Sequence, residues 1–334
     1  MRREKGINHK TFYCNELPFC SDGDKIFDIF LVSDVRYFSN ERGKKWLNVR
    51  LEDKSGSMSA KVWADRMEQE YEGYKGQVCY VSGMVTYYAG KPDFIIDKMQ
   101  QVNEGEFEIS EVLKVLRQDK INAYVKNILM LTNNIVSSEI KSFVSVLINE
   151  SSLAQMAELP VSMKGHHSYR GGLLEHVCEV LTSSYYYAKS TAAVRDIKYD
   201  LDLIIAGAVL HDIGSLDLYK SSGYGFSVAG LDKLMGERYV TMNILEQTLN
   251  ECMIDGVTIG KETYGLLIHI INASHGHTQA QTMEAMVVQN MNRLSAELEM
   301  YENCCTSNKI SQNCKDFVWS KELKREITMI RRDK

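Results

Sequence analysis

Proline is nearly missing from this chain, with three residues in 334. So few helix breakers leave room for long uninterrupted helices. Paired cysteine motifs are missing too. The eight cysteines form no CxxC, which excludes a zinc-ribbon pattern and reads as free thiols in a reducing compartment. A surplus of positive charge is absent, since the net charge is −5. Any nucleic-acid contact must therefore come from a local patch. No apolar run reaches the length of a membrane span. The charged start "MRREKGINHK" leads into no apolar signal-peptide core. The expectation is a cytoplasmic protein with no membrane partner. Internal repeats and low-complexity tracts are also lacking.

What is present is enough apolar residue, 44%, for two domains with real cores. The first hundred residues alternate as strands do. "KIFDIFLVSDVRYF" (25–38) ends in a polar turn, and "WLNVRLEDKSGSMSAKVWA" (46–64) places two strands around "DKSG". "QVCYVSGMVTYYAGKPDFIIDKMQQV" (77–102) gives two more around "AGKP". One helical stretch is expected near 64–74. Five short strands with glycine turns predict a small barrel of the OB type. "NEGEFEISEV" reads as the start of a linker, after which apolar spacing of three and four predicts helices over 109–117, 119–132, 136–149, 171–190, 199–212, 231–250, 260–273 and 281–303. The expected organisation is an extension (1–23), an all-β OB-fold barrel (24–102), a linker (103–118), an all-α bundle (119–303) and a tail (304–334).

Strand alternation assigns faces. Leu47, Val49 and Leu51 share one side, and Trp46, Asn48 and Arg50 the other. In the next strand Lys61 and Trp63 oppose Met58, Ala60 and Val62. One sheet face would thus show Trp46, Arg50, Lys61 and Trp63. Aromatics interleaved with cations form a stacking platform for single-stranded nucleic acid. Tyr87, Tyr88, Lys91 and Phe94 would extend it. The bland alternative is that the tryptophans only close the barrel ends.

Seven of the eight histidines lie between His166 and His277. "GGLLEHVCEVL" (171–181) and "AGAVLHDIGSL" (206–216) each put a histidine on an apolar helix, and in the second an aspartate follows. Either these groups are buried and hydrogen-bonded, or His176, His211 and Asp212 converge on a divalent ion. Imidazole and carboxylate donors suit Mn²⁺, Fe, Ni²⁺, Zn²⁺ or Mg²⁺. Neighbours on a helix point about 100° apart, so the His-Asp pair would straddle an ion at a helix end or bridge two. Gly214 would end that helix.

"HHSYRGGLLEH" (166–176) together with "AVLHDIG" (208–214) resembles the HD-domain phosphohydrolases. The closer resemblance is to the YhaM-type 3′-to-5′ exoribonucleases, which join an OB fold to an HD domain, and "LEDKSGSMSAKVWA" is similar to their barrel. The resemblance runs from about residue 24 to about residue 300. It implies metal-dependent hydrolysis of single-stranded RNA or DNA to nucleoside 5′-monophosphates, with RNA favoured. His176, His211 and Asp212 match the first ligand positions. His275 matches a metal or phosphate position, and His166 and His167 a pair near the site. Asp212 would orient the water, His275 and His167 would face the phosphate, and Lys164 or Arg170 would neutralise it. Glu237 stands where the family has a histidine, Ser215 where a lysine is common, Ser274 where a second histidine is expected. Asn292 stands where a closing aspartate is expected. The metal set is thus His176, His211, Asp212, Glu237, His275 and Asn292, with less ligand charge than its relatives.

Two other readings stay open. One is a degenerate HD protein that binds single strands or nucleotides without cleaving them. The other is a nucleotide phosphohydrolase or cyclic-nucleotide phosphodiesterase. A homo-oligomer is compatible with all three.

Overall fold

The computed structural model describes residues 10–40, 43, 45–63, 71–103, 105–163, 165–228, 230, 232–254, 258–310 and 317–328. The chain divides into two compact units. The first comprises Met1–Val115, Ser222–Phe226 and Tyr301–Lys334, and the second Leu116–Ser221 and Ser227–Met300. Among the described residues no helix is long and apolar enough to cross a membrane.

In the first unit five strands close a barrel in the order β1-β2-β3-β5-β4. They are β1 (Lys25–Ser39), β2 (Lys45–Asp53), β3 (Gly56–Trp63), β4 (Val78–Tyr88) and β5 (Lys91–Gln101). The long β1 pairs with β4 through its first half and with β2 through its second. The parallel contact of β3 with β5 shuts the barrel. That strand order is the five-stranded Greek-key barrel of the OB fold. The alternation read from β2 and β3 is realised: Leu47, Val49, Leu51, Met58, Ala60 and Val62 all point into the core. The "DKSG" hairpin is held by Asp53, whose Oδ1 accepts from Ser55 N at 2.8 Å. Of the helical stretch expected near 64–74, residues 64–70 lie outside the described residues, and Tyr71–Tyr74 is a 3₁₀ turn.

The expected boundaries shift in three places. Residues 10–20 are not a loose extension. Asp28, buried inside the barrel, accepts the backbone N–H groups of Thr11 and Phe12, each at 2.7 Å. Asp53 accepts from Cys14 N at 2.9 Å, and Cys14 and Leu17 join the core. The expected linker carries α1 (Ile109–Val112), whose Val112 is fully buried in a small cluster with Ile29, Val78 and Val102. The tail folds into a hairpin, β8 (Phe317–Ser320) with β9 (Arg325–Thr328). Each strand has only four residues, "FVWS" and "REIT", too short for hydrophobic period to assign.

The second unit is helical: α2 (Gln118–Asn133), α3 (Ser138–Leu147), α4 (Glu150–Met156), α5 (Gly172–Arg195), α6 (Leu201–Leu210), α7 (Ser215–Leu218), α8 (Asp232–Met235), α9 (Glu237–Ile254), α10 (Lys261–Ser274) and α11 (Met283–Ile310). A small hairpin, β6 (Tyr219–Ser222) and β7 (Gly225–Val228), follows α7; its Ser222–Phe226 stretch and the part of α11 from Tyr301 onward are counted with the first unit. The helix expected over 136–149 is α3, and beyond it Asn149 caps a further helix, α4, by accepting from Ser151 N and Ser152 N. "LDLIIAGAVL" has no polar face after its first turn. Such a helix has only one stable place, the middle of a bundle. Every residue of α6 from Leu203 to Leu210 is buried, and Asp200 caps its start. This helix carries His211 to the centre of the unit.

The amino-terminal segment generates a stability prediction. The Lys10 ammonium donates to Ile29 O, stands 3.7 Å from Asp28 and 3.4 Å from Asp53, and lies 3.5 Å from the Phe30 ring centroid. All three charged side chains are fully buried. Lys10→Met leaves two buried carboxylates without their cation. The expected loss is about 3–5 kcal/mol, the usual result of breaking a buried pair from one side. Urea unfolding measures it, and a loss below about 1 kcal/mol would show that the lysine is not the compensating charge.

Candidate metal centre and nucleic-acid face

His176 comes from α5, and His211 and Asp212 from the turn that ends α6. The tandem glycine before α5 has a steric reason. Gly171 holds φ +88°, and a Cβ on Gly172 would lie 2.2 Å from His167 O. The two glycines let the His166-His167 loop lie directly on the start of α5. Gly214 does a different job from the helix stop expected of it. Its φ is −61°, an ordinary right-handed value. A Cβ there would strike Thr241 Oγ1 at 2.3 Å, so its smallness admits the α9 turn that carries Glu237.

The histidine tautomers follow from their outer partners. His211 Nδ1 lies 2.8 Å from Ala208 O, and a carbonyl can only accept, so Nδ1 carries the proton. Ser295 Oγ donates to Glu179 at 2.6 Å, which leaves it an acceptor for His176 Nδ1 at 2.9 Å. Both Nε2 atoms are therefore bare. They face each other at 3.2 Å and lie 3.5 and 3.4 Å from Asp212 Oδ2. That oxygen is buried and has no hydrogen-bond partner. Three lone-pair donors thus converge with no proton among them. A point equidistant from the three lies about 2 Å from each, the contact distance of a divalent transition ion to nitrogen or oxygen. The residues fit a metal. Burial drives the pKa of both histidines below the usual range, which keeps them neutral. Burial works to raise that of Asp212, but the electrostatic pull of the imidazoles around it and a hydrogen bond from His275 hold it well below the carboxylate range.

The other Asp212 oxygen serves a second group with Glu237 and His275. His275 Nε2 is 3.2 Å from Asp212 Oδ1 and 2.9 Å from His211 O. A carbonyl at that distance requires an N–H. His275 therefore turns an N–H toward His211 O, while it remains with Asp212 and Glu237 in a group whose side-chain atoms lie close enough to hold an ion. Burial tends to lower its pKa, but the hydrogen bond and charge of Asp212, with Glu237, raise it to about 9. Glu237 is pushed up to about 7, by burial first and then by Asp212. Ser215 Oγ donates to Glu237 Oε1 at 3.2 Å.

The remaining expected residues fall out variously. The rings of His166 and His167 lie tilted at 5.1 and 5.0 Å from that of His176, and the three form a further group of possible metal donors. His167 is 1% exposed and stands 3.7 Å from Glu179. Arg170 pairs with Glu158 at 3.5 Å. Lys164 lies outside the described residues. Asn292 donates to Ser274 O at 3.0 Å and so holds the backbone just before His275.

On the barrel, register builds a three-by-three outer face from β1, β2 and β3. Its rows are Phe38-Trp46-Trp63, Arg36-Asn48-Lys61 and Asp34-Arg50-Ser59. Phe38 stacks on Trp46 at 5.8 Å, and Trp46 meets Trp63 at 6.2 Å. The cations are all engaged: Arg36 with Asp34, Arg50 with Glu52 and Lys61 with Asp93. Phe94 is a correction. It points inward and is fully buried, filling the barrel core beside Ala60, so it offers nothing to a ligand. Tyr87 and Tyr88 are exposed, and Tyr87 Oη donates to Cys20 O. With Lys91 they form the β4–β5 hairpin tip, paired Tyr87↔Pro92 and Tyr88↔Lys91. From the Ala60↔Phe94 pairing, Lys91 falls level with the start of β3 and Trp63 with a point six residues further along β5, so the tip does not join the tryptophan row.

No family model matches the chain. The 3′-5′ exoribonuclease YhaM of Halalkalibacterium halodurans is 26% identical over 84% of this chain and 86% of its own length. The protein of the same name from Bacillus subtilis is 24% identical over 84% and 87%. The chain is YhaM-like. Two solved structures are similar to parts of it. One is the second OB-fold domain of replication protein A from Methanococcus maripaludis, at 20% identity over 25% of this chain and 86% of that one, TM-score 0.19. The other is a replication protein A heterotrimer bound to single-stranded DNA, at 18% identity over 32% and 28%, TM-score 0.21.

Three functional candidates in this YhaM-like chain escape a reading of motifs. Glu179 and Ser295 fix the His176 tautomer; Glu179 lies three residues after His176 on α5, a spacing that puts both on one helix face. Phe38 completes the aromatic row, and only register reveals it.

The charges predict a pH response in the metal-free protein. A His275 pKa raised above its unfolded value stabilises the fold below about pH 6.5, and that contribution is lost as pH rises through 9. Glu237, also raised, loses its contribution between about pH 4.5 and 7. In chelator, the melting temperature should therefore fall from pH 7 to pH 9, and His275→Gln should flatten that fall. An unchanged slope in the variant would contradict the Asp212–His275 pairing.

Proposed function

We propose that the chain is a metal-dependent 3′-to-5′ exonuclease that hydrolyses single-stranded nucleic acid, RNA by preference, to nucleoside 5′-monophosphates. The observation that carries this reading is the convergence of two bare imidazole nitrogens and one unpartnered carboxylate oxygen, in a chain similar along most of its length to proteins named for that activity. Two nitrogen donors and one oxygen favour a divalent transition ion such as Mn²⁺, Fe, Ni²⁺ or Zn²⁺ over Mg²⁺. Free thiols and a nucleic-acid substrate suit the cytoplasm.

His176, His211 and Asp212 hold the ion. When bound, it lowers the pKa of a water and polarises the phosphate. Asp212 turns Oδ2 toward the two bare imidazole nitrogens and holds His275 with Oδ1. His275, a cation held by Asp212 and His211 O, lines the pocket beside the donor cluster. It gives up its extra proton to the departing 3′ oxygen as the phosphorus–oxygen bond breaks, which leaves a shortened strand and a nucleoside 5′-monophosphate. Glu237, with a pKa near neutral, accepts the proton that the attacking water gives up. The tryptophan row of the barrel stacks on the bases of the strand. A chain that binds without cleaving is the second reading, and Asn292 in place of a carboxylate is what favours it.

The decisive assay follows 5′-labelled single-stranded RNA with Mn²⁺. Shortening from the 3′ end is expected, and His211→Ala should abolish it together with metal binding. Asn292→Asp should raise metal affinity, and should raise the rate at limiting metal. Rapid wild-type degradation that ignores both substitutions would falsify this assignment of the site.

The barrel face generates a separate expectation. Trp46→Ala and Trp63→Ala should each weaken single-strand binding by roughly 1–3 kcal/mol. Because the cations of the face are already ion-paired, the dependence of affinity on salt should be shallow. Fluorescence titration at two salt concentrations measures both, and unchanged affinity in the double variant would make these residues structural.

A further inference from the structure

Arg238 follows Glu237 in the first turn of α9 and sits beside the donor cluster. It lines a pocket with Glu237, Met242, Asn272, His275 and His277. Glu237 and His275 belong at the same time to the group around Asp212. The pocket therefore opens onto the place where a phosphate would react. His277 stacks on His275 at 5.8 Å and forms part of the wall.

The arginine itself is available. It is exposed, and among the described residues it makes no hydrogen bond or ion pair. The phosphate-neutralising cations expected from sequence differ from it, and of these Arg170 is engaged with Glu158. A guanidinium offers a planar fork of N–H donors that matches two phosphate oxygens. The setting adds to this. Arg238 stands at the N-terminal end of an eighteen-residue helix, where the backbone dipole also favours an anion.

We propose that Arg238 is the phosphate clamp of this site. It holds nonbridging oxygens of the phosphate that leaves on the nucleoside 5′-monophosphate. The identity of that phosphate rests on the exonuclease reading; the anion site in the pocket does not.

Binding and cleavage separate the two. Titrations of the full chain with AMP and with adenosine, in Mn²⁺, read the clamp directly. AMP should bind the wild type more tightly than adenosine does. Arg238→Ala should weaken AMP about 10- to 100-fold, the usual effect of hydrogen bonds to charged groups, and leave adenosine and the melting temperature unchanged. Arg238→Lys should recover part of the loss, because a point charge replaces the fork. AMP affinity that ignores Arg238→Ala, or no AMP binding by the wild type, overturns the clamp. RNA hydrolysis is measured in parallel. If the wild type cleaves nothing while AMP binding still depends on Arg238, the anion site is supported and the exonuclease reading falls. If RNA is cleaved with unchanged KM and AMP affinity in Arg238→Ala, the clamp falls and the exonuclease reading stands.

Discussion

Three lone pairs that cannot satisfy one another organise the second unit. His176 Nε2, His211 Nε2 and Asp212 Oδ2 lie within 3.5 Å of each other, and none carries a proton to share. Protein atoms alone would not hold such a group, because each buried acceptor without a donor costs roughly 1–3 kcal/mol. The surroundings are arranged to keep it. Ala208 O and Ser295 fix the tautomers from outside, and Glu179 in turn fixes Ser295. The all-apolar α6 delivers His211 to the centre, and the tandem glycine brings a histidine loop against His176. Orienting partners of this kind set the basicity and direction of ligand imidazoles.

The barrel works by a different balance. Its outer face has cations in number but little net charge, since Arg36, Arg50 and Lys61 all have carboxylate partners. In a chain of net charge −5, long-range attraction of a polyanion is weak. What the face offers is ring surface in register across three strands. Stacking is tolerant of base identity, because every base has a π-face. On the proposed exonuclease reading, that tolerance lets strands of any sequence find the same surface.

Much of the fold and the centre of the site are legible in the amino-acid sequence, for identifiable reasons. The period of two in "WLNVRLED" and "SMSAKVW" assigns inner and outer faces correctly, because a barrel wall buries one side only. The same logic misleads at Phe94. Its strand is nearly continuous in apolar residues at Phe94, Ile95 and Ile96, all buried, so period gives no face there. The His-Asp motif points to three donors that the fold brings within reach of one ion, because apolar helices carry all of them into the core. Motif spacing does not show that His275 turns an N–H toward His211 O, nor that Arg238 lines the same pocket. Those facts depend on rotamers and on the packing of α9 and α10 around Gly214. The buried Lys10 is invisible for a similar reason: nothing local distinguishes it from the charged residues before it.

Charge explains what the departures from the family pattern do to the site. Two neutral imidazoles and one carboxylate leave a divalent ion with a net positive charge, and a His275 that keeps its proton offsets an ionised Glu237. A second carboxylate at position 292 would cancel the remaining charge. The neutral amide therefore has two opposed effects. On the family pattern it would weaken retention of an ion, because one anionic ligand would be gone. It also leaves the retained ion more electropositive, which favours both an acidic bound water and a phosphodiester anion. The substitution thus acts on occupancy before it acts on chemistry. On the proposed exonuclease reading, with ion in excess, the site would keep its acid in His275, its base in Glu237 and a net charge opposite to that of a phosphate.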